Sequence, residues 1–197
     1  MTPTPERIKE EIRERFVKVA LSPQAETKFP VGPDSAKRLG YDPAEIDALP
    51  GPVTESFAGV GNPLALGEPR PGEAVLDLGS GAGFDSILAA RRVGPAGRVV
   101  GVDFAAAMVE KARRNATAVG VTNAEFRQGE ADALPVESGW ADLVISNGVF
   151  NLCIDKPKVL GEVFRVLKPG GRIQMADMLL DDGVTQEEVA RKGTWSD

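Results

Sequence analysis

From residue 72 onward, short runs of Val, Ile and Leu alternate with stretches in which apolar residues recur at helical spacing. This alternation predicts an α/β fold with a mostly parallel sheet and helices on both faces, since parallel neighbours need a crossover that a helix supplies. Strands are expected at Val75 to Leu78, Val99 to Val102, Ala124 to Arg127, Ala141 to Ser146 and Arg172 to Met178. Helices are expected at Ser86 to Val93, Ala105 to Val119 and Lys156 to Leu167, the last stopped by the turn Lys168-Pro169-Gly170-Gly171. Nearer the start, Ile8, Ile12, Phe16 and Val19 lie on one face of an amphipathic helix from Glu6 to Ala20. Ser22 to Pro63 is rich in Pro and Gly, with one short helix from Pro43 to Leu49 that Asp42 caps and Pro50 ends. It reads as a poorly ordered lead-in or a lid. The chain therefore divides into residues 1–63, a helix with its lead-in, and residues 64–197, a ligand-binding α/β domain.

Composition narrows the chemistry. The 197 residues carry 23 basic and 29 acidic side chains, a formal charge of −6, and no Lys/Arg run that tracks a phosphate backbone. Nucleic acid is thus a poor expectation as partner. No stretch approaches the roughly 18 apolar residues of a membrane span, and the polar Met1 to Glu11 is unlike a signal peptide. A cytoplasmic protein with no membrane contact is expected. The chain has no histidine, which removes His-based triads, His-bearing zinc sites and imidazole proton shuttles. Its single cysteine, Cys153, forms no internal disulfide and reads as a small buried hydrophobe. No metal site is expected.

Candidate ligand contacts cluster where the expected strands end. Asp77-Leu78-Gly79-Ser80-Gly81-Ala82-Gly83 follows the first strand and opens a helix, so the backbone is open to a ligand and helix N–H groups are free. Its spacing is G-x-G-x-G, with Phe84 where a dinucleotide fingerprint needs its last glycine. This argues for a nucleoside ligand other than a dinucleotide. Asp103 ends the second strand 24 positions after Gly79, where it either grips the two hydroxyls of a ribose or caps the next helix. Beside the glycine loop, the ribose reading prevails. After the third strand, Glu130 is placed to accept from an adenine amino group and the Ala131 N–H to meet a ring nitrogen, although Glu130 alone reads as a solvated charge. Asn147, just beyond the fourth strand, either lines the crevice or forms a turn. Phe104 and Met108 lie against an adenine face or belong to the core.

Four ordered segments together resemble the successive motifs of class I S-adenosylmethionine methyltransferases: Val75 to Gly83, Gly101-Val102-Asp103, Gly129-Glu130-Ala131 and Leu167 to Gly171. The resemblance spans about Gly59 to Leu180 and implies a Rossmann-like sheet. Gly61-Asn62-Pro63, Ile145-Ser146-Asn147 and Asn151-Leu152 are similar in particular to the arsenite methyltransferase branch. It implies S-adenosyl-L-methionine as methyl donor, contacted by Asp77, Gly79, Ser80, Gly81, Gly83, Asp103, Phe104, Glu130, Ala131 and Asn147. A small-molecule acceptor, a thiol or metalloid, is implied as well. No catalytic acid or base is assigned, because a sulfonium is already an activated donor for a soft nucleophile. The rival readings are a quinone-biosynthesis C- or O-methyltransferase and a non-catalytic module that binds the donor.

The departures from that branch are informative. The arsenite enzymes carry a cysteine just before Gly-Asn-Pro and another just after the Ser-Asn of the fourth strand, whereas this chain has Val60 and Gly148. Cys153 lies five residues past Gly148, so the resemblance does not extend to the thiolates that hold trivalent arsenic. The family sheet normally continues beyond its fifth strand with further strands. Here a truncation is expected at Asp197, where relatives continue into Cys-Ile-Ala-Gly, with a UGA codon for selenocysteine as one cause.

Overall fold

The computed structural model describes residues 4–179 and residue 183. Five strands form one sheet: β1 (Ala74–Leu78), β2 (Arg98–Asp103), β3 (Ala124–Gln128), β4 (Ala141–Asn147) and β5 (Leu167–Ala176). Their order is β3-β2-β1-β4-β5 and every pairing is parallel. The central strand reads Ala-Val-Leu-Asp-Leu and is buried on both faces, which is what a strand covered by helices on each side requires. Its odd positions face one way and its even positions the other.

Val75, with Val99, Leu143 and Ile145, packs under α5 (Phe84–Val93) and α6 (Ala106–Ala118). Leu76 and Leu78, with Val100, Val102 and Val144, pack under α7 (Lys156–Val166) through its Val159, Val163 and Val166. Burying a side chain of this size contributes about 1.5 to 3 kcal/mol, so these two layers are the main source of stability. The strand order reverses between β1 and β4. Open sheets of this kind bind ligands at that switch point, beyond the carboxyl ends of the strands.

The observed elements start or stop within two residues of their expected positions, with one exception. The turn Lys168-Pro169-Gly170-Gly171 lies inside β5, because Leu167 already pairs with Ala141 while Arg172 pairs with Leu143. Four residues therefore loop out of the ladder, and Gly170, at φ +81°, makes the bend. The strand then ends at Ala176 rather than Met178.

The segment from 22 to 63 departs from the expected loose lead-in. It forms α2 (Pro33–Arg38), α3 (Pro43–Asp47) and α4 (Gly51–Thr54), each with proline in its first positions, and Asp42 caps α3 through a 2.9 Å bond from the Ala44 N–H. Tyr41, Ile46, Leu49, Val53 and Phe57 share the core of α5 and α6, so burial orders a stretch whose local pattern is weak. Ahead of it, α1 (Pro5–Leu21) starts at the Thr4 cap and buries Ile8, Ile12 and Val19. No helix among the described residues is long and apolar enough to cross a membrane. The expected interruption at Asp197 lies outside the described residues.

Candidate functional site

A cavity of about 1240 Å³, counting its open mouth, lies over the carboxyl ends of β1, β2 and β4. Its floor is the glycine loop. The Gly79 and Ser80 N–H groups donate to the Val102 carbonyl at 2.8 and 3.0 Å, which ties the loop to the end of β2. Gly79 has φ +73°, and a Cβ there would stand 2.3 Å from Val149 Cγ2, so glycine is required twice over. A Cβ on Gly81 would meet nothing within 4 Å and would project into open space. Ser80 Oγ is buried with no partner among the described residues. An open cradle with an orphaned hydroxyl suits a polar ligand lying on the loop.

Three buried carboxylates surround this floor. Asp103, at the tip of β2, accepts from the Gly81 N–H and the Ala105 N–H, both at 2.9 Å. It therefore binds the start of the next helix and the glycine loop at once, and each oxygen, having accepted one bond, has capacity for another in the cavity that Asp103 lines. Burial pushes its carboxyl up to about 6, against the lowering effect of those two amides. Asp77 accepts from Ser86 Oγ at 2.6 Å. Asp85, in the first turn of α5, accepts from Tyr41 Oη at 2.6 Å and from Asn147 Nδ2 at 3.1 Å. Burial, then mutual repulsion, drives the Asp77 carboxyl upward, and burial does the same for Asp85. The Tyr41 hydroxyl is likewise held neutral, by its burial and by the Asp85 charge beside it.

Of the expected contacts, Asp77, Gly79, Ser80, Gly81, Asp103, Phe104, Met108, Glu130, Ala131 and Asn147 all line the cavity. Gly83 does not. At φ +85° it caps α5, and a Cβ there would lie 3.0 Å from both Ala112 and Phe126, so this glycine lets helix and sheet approach closely. Met108 is buried with Val19, Ala20 and Ala105 and closes the core beneath the cavity wall. Glu130, though still partly exposed in the lining, pairs with Lys9 Nζ and Arg13 Nη2, each at 3.3 Å. Its partners are cations of α1 because that helix lies across the mouth of the cavity, where its Lys9, Ile12 and Phe16 form part of the lining.

Asn147 has a different part from a simple lining residue. Its Oδ1 accepts from the Val60 and Gly61 N–H groups at 2.8 and 3.2 Å, and its Nδ2 faces the Gly61 carbonyl, Asp85 and the Tyr41 hydroxyl. It clamps the 59–61 segment to the end of β4. Gly59 fits beside it only as glycine, since a Cβ would stand 2.3 Å from Asn147 Nδ2.

Ser56 and Phe57 line the cavity from within the segment expected to close it, whereas sequence reasoning missed Asp85 and Phe16, which line it as well. The signal available for Phe16 was its place on the apolar face of α1. Asp85 carried none, since an acid in a first helical turn is ordinary.

Val60 and Gly148 meet in space: a Cβ on Gly148 would lie 3.2 Å from Val60 Cγ1. Cys153 lines the cavity, donates to the Val149 carbonyl at 3.3 Å, and is pushed up to about 11 by burial. It is therefore a neutral thiol at physiological pH.

Residues 69–196 match the family described as a methyltransferase domain. The arsenite methyltransferase of Halobacterium salinarum is 41% identical over an alignment of 189 positions, which covers 89% of this chain and 48% of that protein. The demethylmenaquinone methyltransferase of Lactococcus lactis is 45% identical over 103 residues, 52% of this chain and 40% of that protein. The crystal structure of an arsenic(III) S-adenosylmethionine methyltransferase from Chlamydomonas reinhardtii superposes with a TM-score of 0.62 at 42% identity, covering 68% of this chain and 47% of that one. The chain thus spans about half the length of the relatives it matches, or less.

Proposed function

Because the chain belongs to the methyltransferase-domain family, we propose that it transfers the methyl group of S-adenosyl-L-methionine to a small acceptor such as a thiol or a metalloid. One observation carries this reading: the open glycine cradle, the buried Asp103 carboxylate and the Glu130-Ala131 turn converge on one cavity at the switch point of a Rossmann-like sheet. Residues 1–63 serve as its lid and residues 64–197 as the donor-binding domain. Cytoplasmic action on a free small molecule, rather than on nucleic acid, suits the acidic chain.

In this reading Asp103 holds the ribose hydroxyls, the Ala131 N–H meets the adenine ring, and the Gly79 to Gly81 backbone lies under the methionine part. The bound donor supplies a methyl group already activated on a sulfonium. The protein's share of the work is orientation and exclusion of water. Asn147 holds the 59–61 segment in place over the acceptor side, while Phe57, Val149 and Leu152 keep that side apolar.

A second reading, C- or O-methylation of a quinol, is favoured by the same apolar wall and by the Val60–Gly148 contact, where no thiol is available. Transfer of labelled methyl to a panel of thiols, arsenite and quinols separates the two. Label on thiols or arsenite supports the first reading, and label on quinols alone supports the second. Saturable donor binding with no transfer to any acceptor makes the chain a binding module instead.

A further inference from the structure

Two carboxylates are buried side by side at the cavity floor with no cation of their own. Asp77 lies on the β1 face that looks towards α5, and Asp85 stands in the first turn of that helix. Both line the cavity, and only 2% and 7% of their surfaces are exposed. The groups that donate to them from side chains are neutral: Ser86 to Asp77, Tyr41 and Asn147 to Asp85. Among the described residues no Lys or Arg forms an ion pair with either. Arg92, whose charge reaches Asp85, is itself held by Glu45 and Glu68. Asp103 adds a third buried acid from the tip of β2, Glu130 and Asp132 pair with Lys9, and Asp155 lies elsewhere on the lining.

Like charges buried together are strongly unfavourable unless a cation or a proton joins them. A fold that keeps such a pair at the wall of an open cavity, held by neutral donors, has left the place of the cation to a ligand. We propose that Asp85, together with Asp77, selects the positively charged sulfonium of the methyl donor over the neutral sulfide of its demethylated product, and that binding the sulfonium expels a proton from this pair. The inference rests on the donor reading of the cavity given above.

The charge balance is simple. In the empty chain burial raises both carboxyls and the repulsion of Asp85 raises Asp77 further, so the two acids hold a shared proton to higher pH than exposed carboxylates would. A cation arriving beside it favours the ionised form; the carboxyl O–H bond breaks and the proton passes to the buffer. Donor affinity therefore rises with pH until the pair is ionised without help. The two ligands carry the same α-ammonium and α-carboxylate, so their comparison isolates the sulfonium. After transfer the pair regains its proton, and the neutral product loses its hold.

Isothermal titration of the full chain with S-adenosylmethionine and with S-adenosylhomocysteine tests this. The measurements run from about pH 5.5 to about pH 7, below the range where the ligands' amino groups titrate, each in two buffers of different ionisation enthalpy. The donor is expected to bind about fivefold tighter or more at the upper pH and to release a fraction of a proton, while product affinity changes less than about twofold. Asp85→Asn is expected to weaken the donor about tenfold, the product less than about threefold, and to flatten the pH dependence. Since that variant disturbs the Asn147 contact, Tyr41→Phe provides an independent arm. It keeps the carboxylate but removes a donor to it, and so displaces the rise in affinity to higher pH. Equal proton release and equal pH slopes for the two ligands overturn the charge selectivity while leaving the donor reading intact. A folded chain that binds neither compound overturns both.

Discussion

The floor and the roof of the cavity are built on different terms. The floor consists of strand ends and the turns directly after them: the glycine loop bonded to Val102, and Asp103 bonded to Gly81 and Ala105. These are adjacent elements of one parallel sheet. The roof consists of α1 and the segment from Ser56 to Gly59, joined to the floor across long stretches of chain. Lys9 and Arg13 reach Glu130, the Phe16 ring meets Phe104 edge-on at 6.4 Å, and the Asn147 carboxamide holds Val60 and Gly61. Behind it, the buried Lys111 ammonium donates to the Ala20 carbonyl, Ser56 and Glu55. The floor's hydrogen bonds tie the glycine loop directly to the end of β2. The roof is held by several contacts of modest strength, which suits a part that must admit and release a ligand.

Substitutions graded from floor to roof sharpen that difference. The largest effect is expected for Gly79→Val, where a left-handed backbone and the Val149 side chain both oppose a Cβ. A loss of about 2 to 4 kcal/mol is expected in chemical denaturation, with donor binding abolished. Next comes Asp103→Ala. It removes a charged acceptor from the proposed ribose site and is expected to weaken donor binding more than about tenfold in calorimetry, from the roughly 1.5 to 3 kcal/mol of such a bond. Unchanged affinity would refute the ribose assignment.

The acidic floor also makes stability depend on pH. Asp77, Asp85 and Asp103 are raised from an ordinary value of 3.8, so the folded chain binds protons that the unfolded chain has released. Stability contributed this way is present at low pH and is lost as pH rises from about 4 to about 8. Glu73, bonded to Arg172, and Asp142, half-buried and bonded to Lys168, are lowered instead, so they contribute stability that is lost below about pH 4. The ligand-free chain is expected to melt at a higher temperature near pH 5 than near pH 8. A melting temperature that climbs steadily to pH 8 would contradict the raised carboxylates.

The smallest effect is expected at the roof. The exposed pairs of Lys9 and Arg13 with Glu130 are worth at most about 1 kcal/mol together and are screened by salt. Their joint replacement by Ala is expected to speed donor dissociation a few-fold in stopped flow, with an effect that fades at high ionic strength. A loss as large as that of Asp103→Ala would place the nucleoside clamp in the roof.

Most of the sheet was legible because Val, Ile and Leu runs of four or five residues have few other places to go than a buried strand. The order of the β5 ladder was not, since the Lys168 to Gly171 turn reads as a boundary and becomes a loop within the strand only through pairing with β4. Gly83 was legible as a glycine that must be glycine, but local pattern could not say whether a ligand or Phe126 imposes it. Asp85 was illegible for a similar reason. Its neighbours Tyr41 and Asn147 lie 44 and 62 positions away.

The amino-acid order alone determined the alternation of strand and helix, and with it the glycine loop and the carboxylate at the tip of β2, because these rest on interactions between near neighbours in the chain. Tertiary structure alone decided that α1 covers the mouth, that Asn147 serves as a clamp, and that Asp77 and Asp85 share one buried wall. Those outcomes depend on which distant segments meet, and burial, which changes what a carboxylate or an amide can do, exists only after they have met.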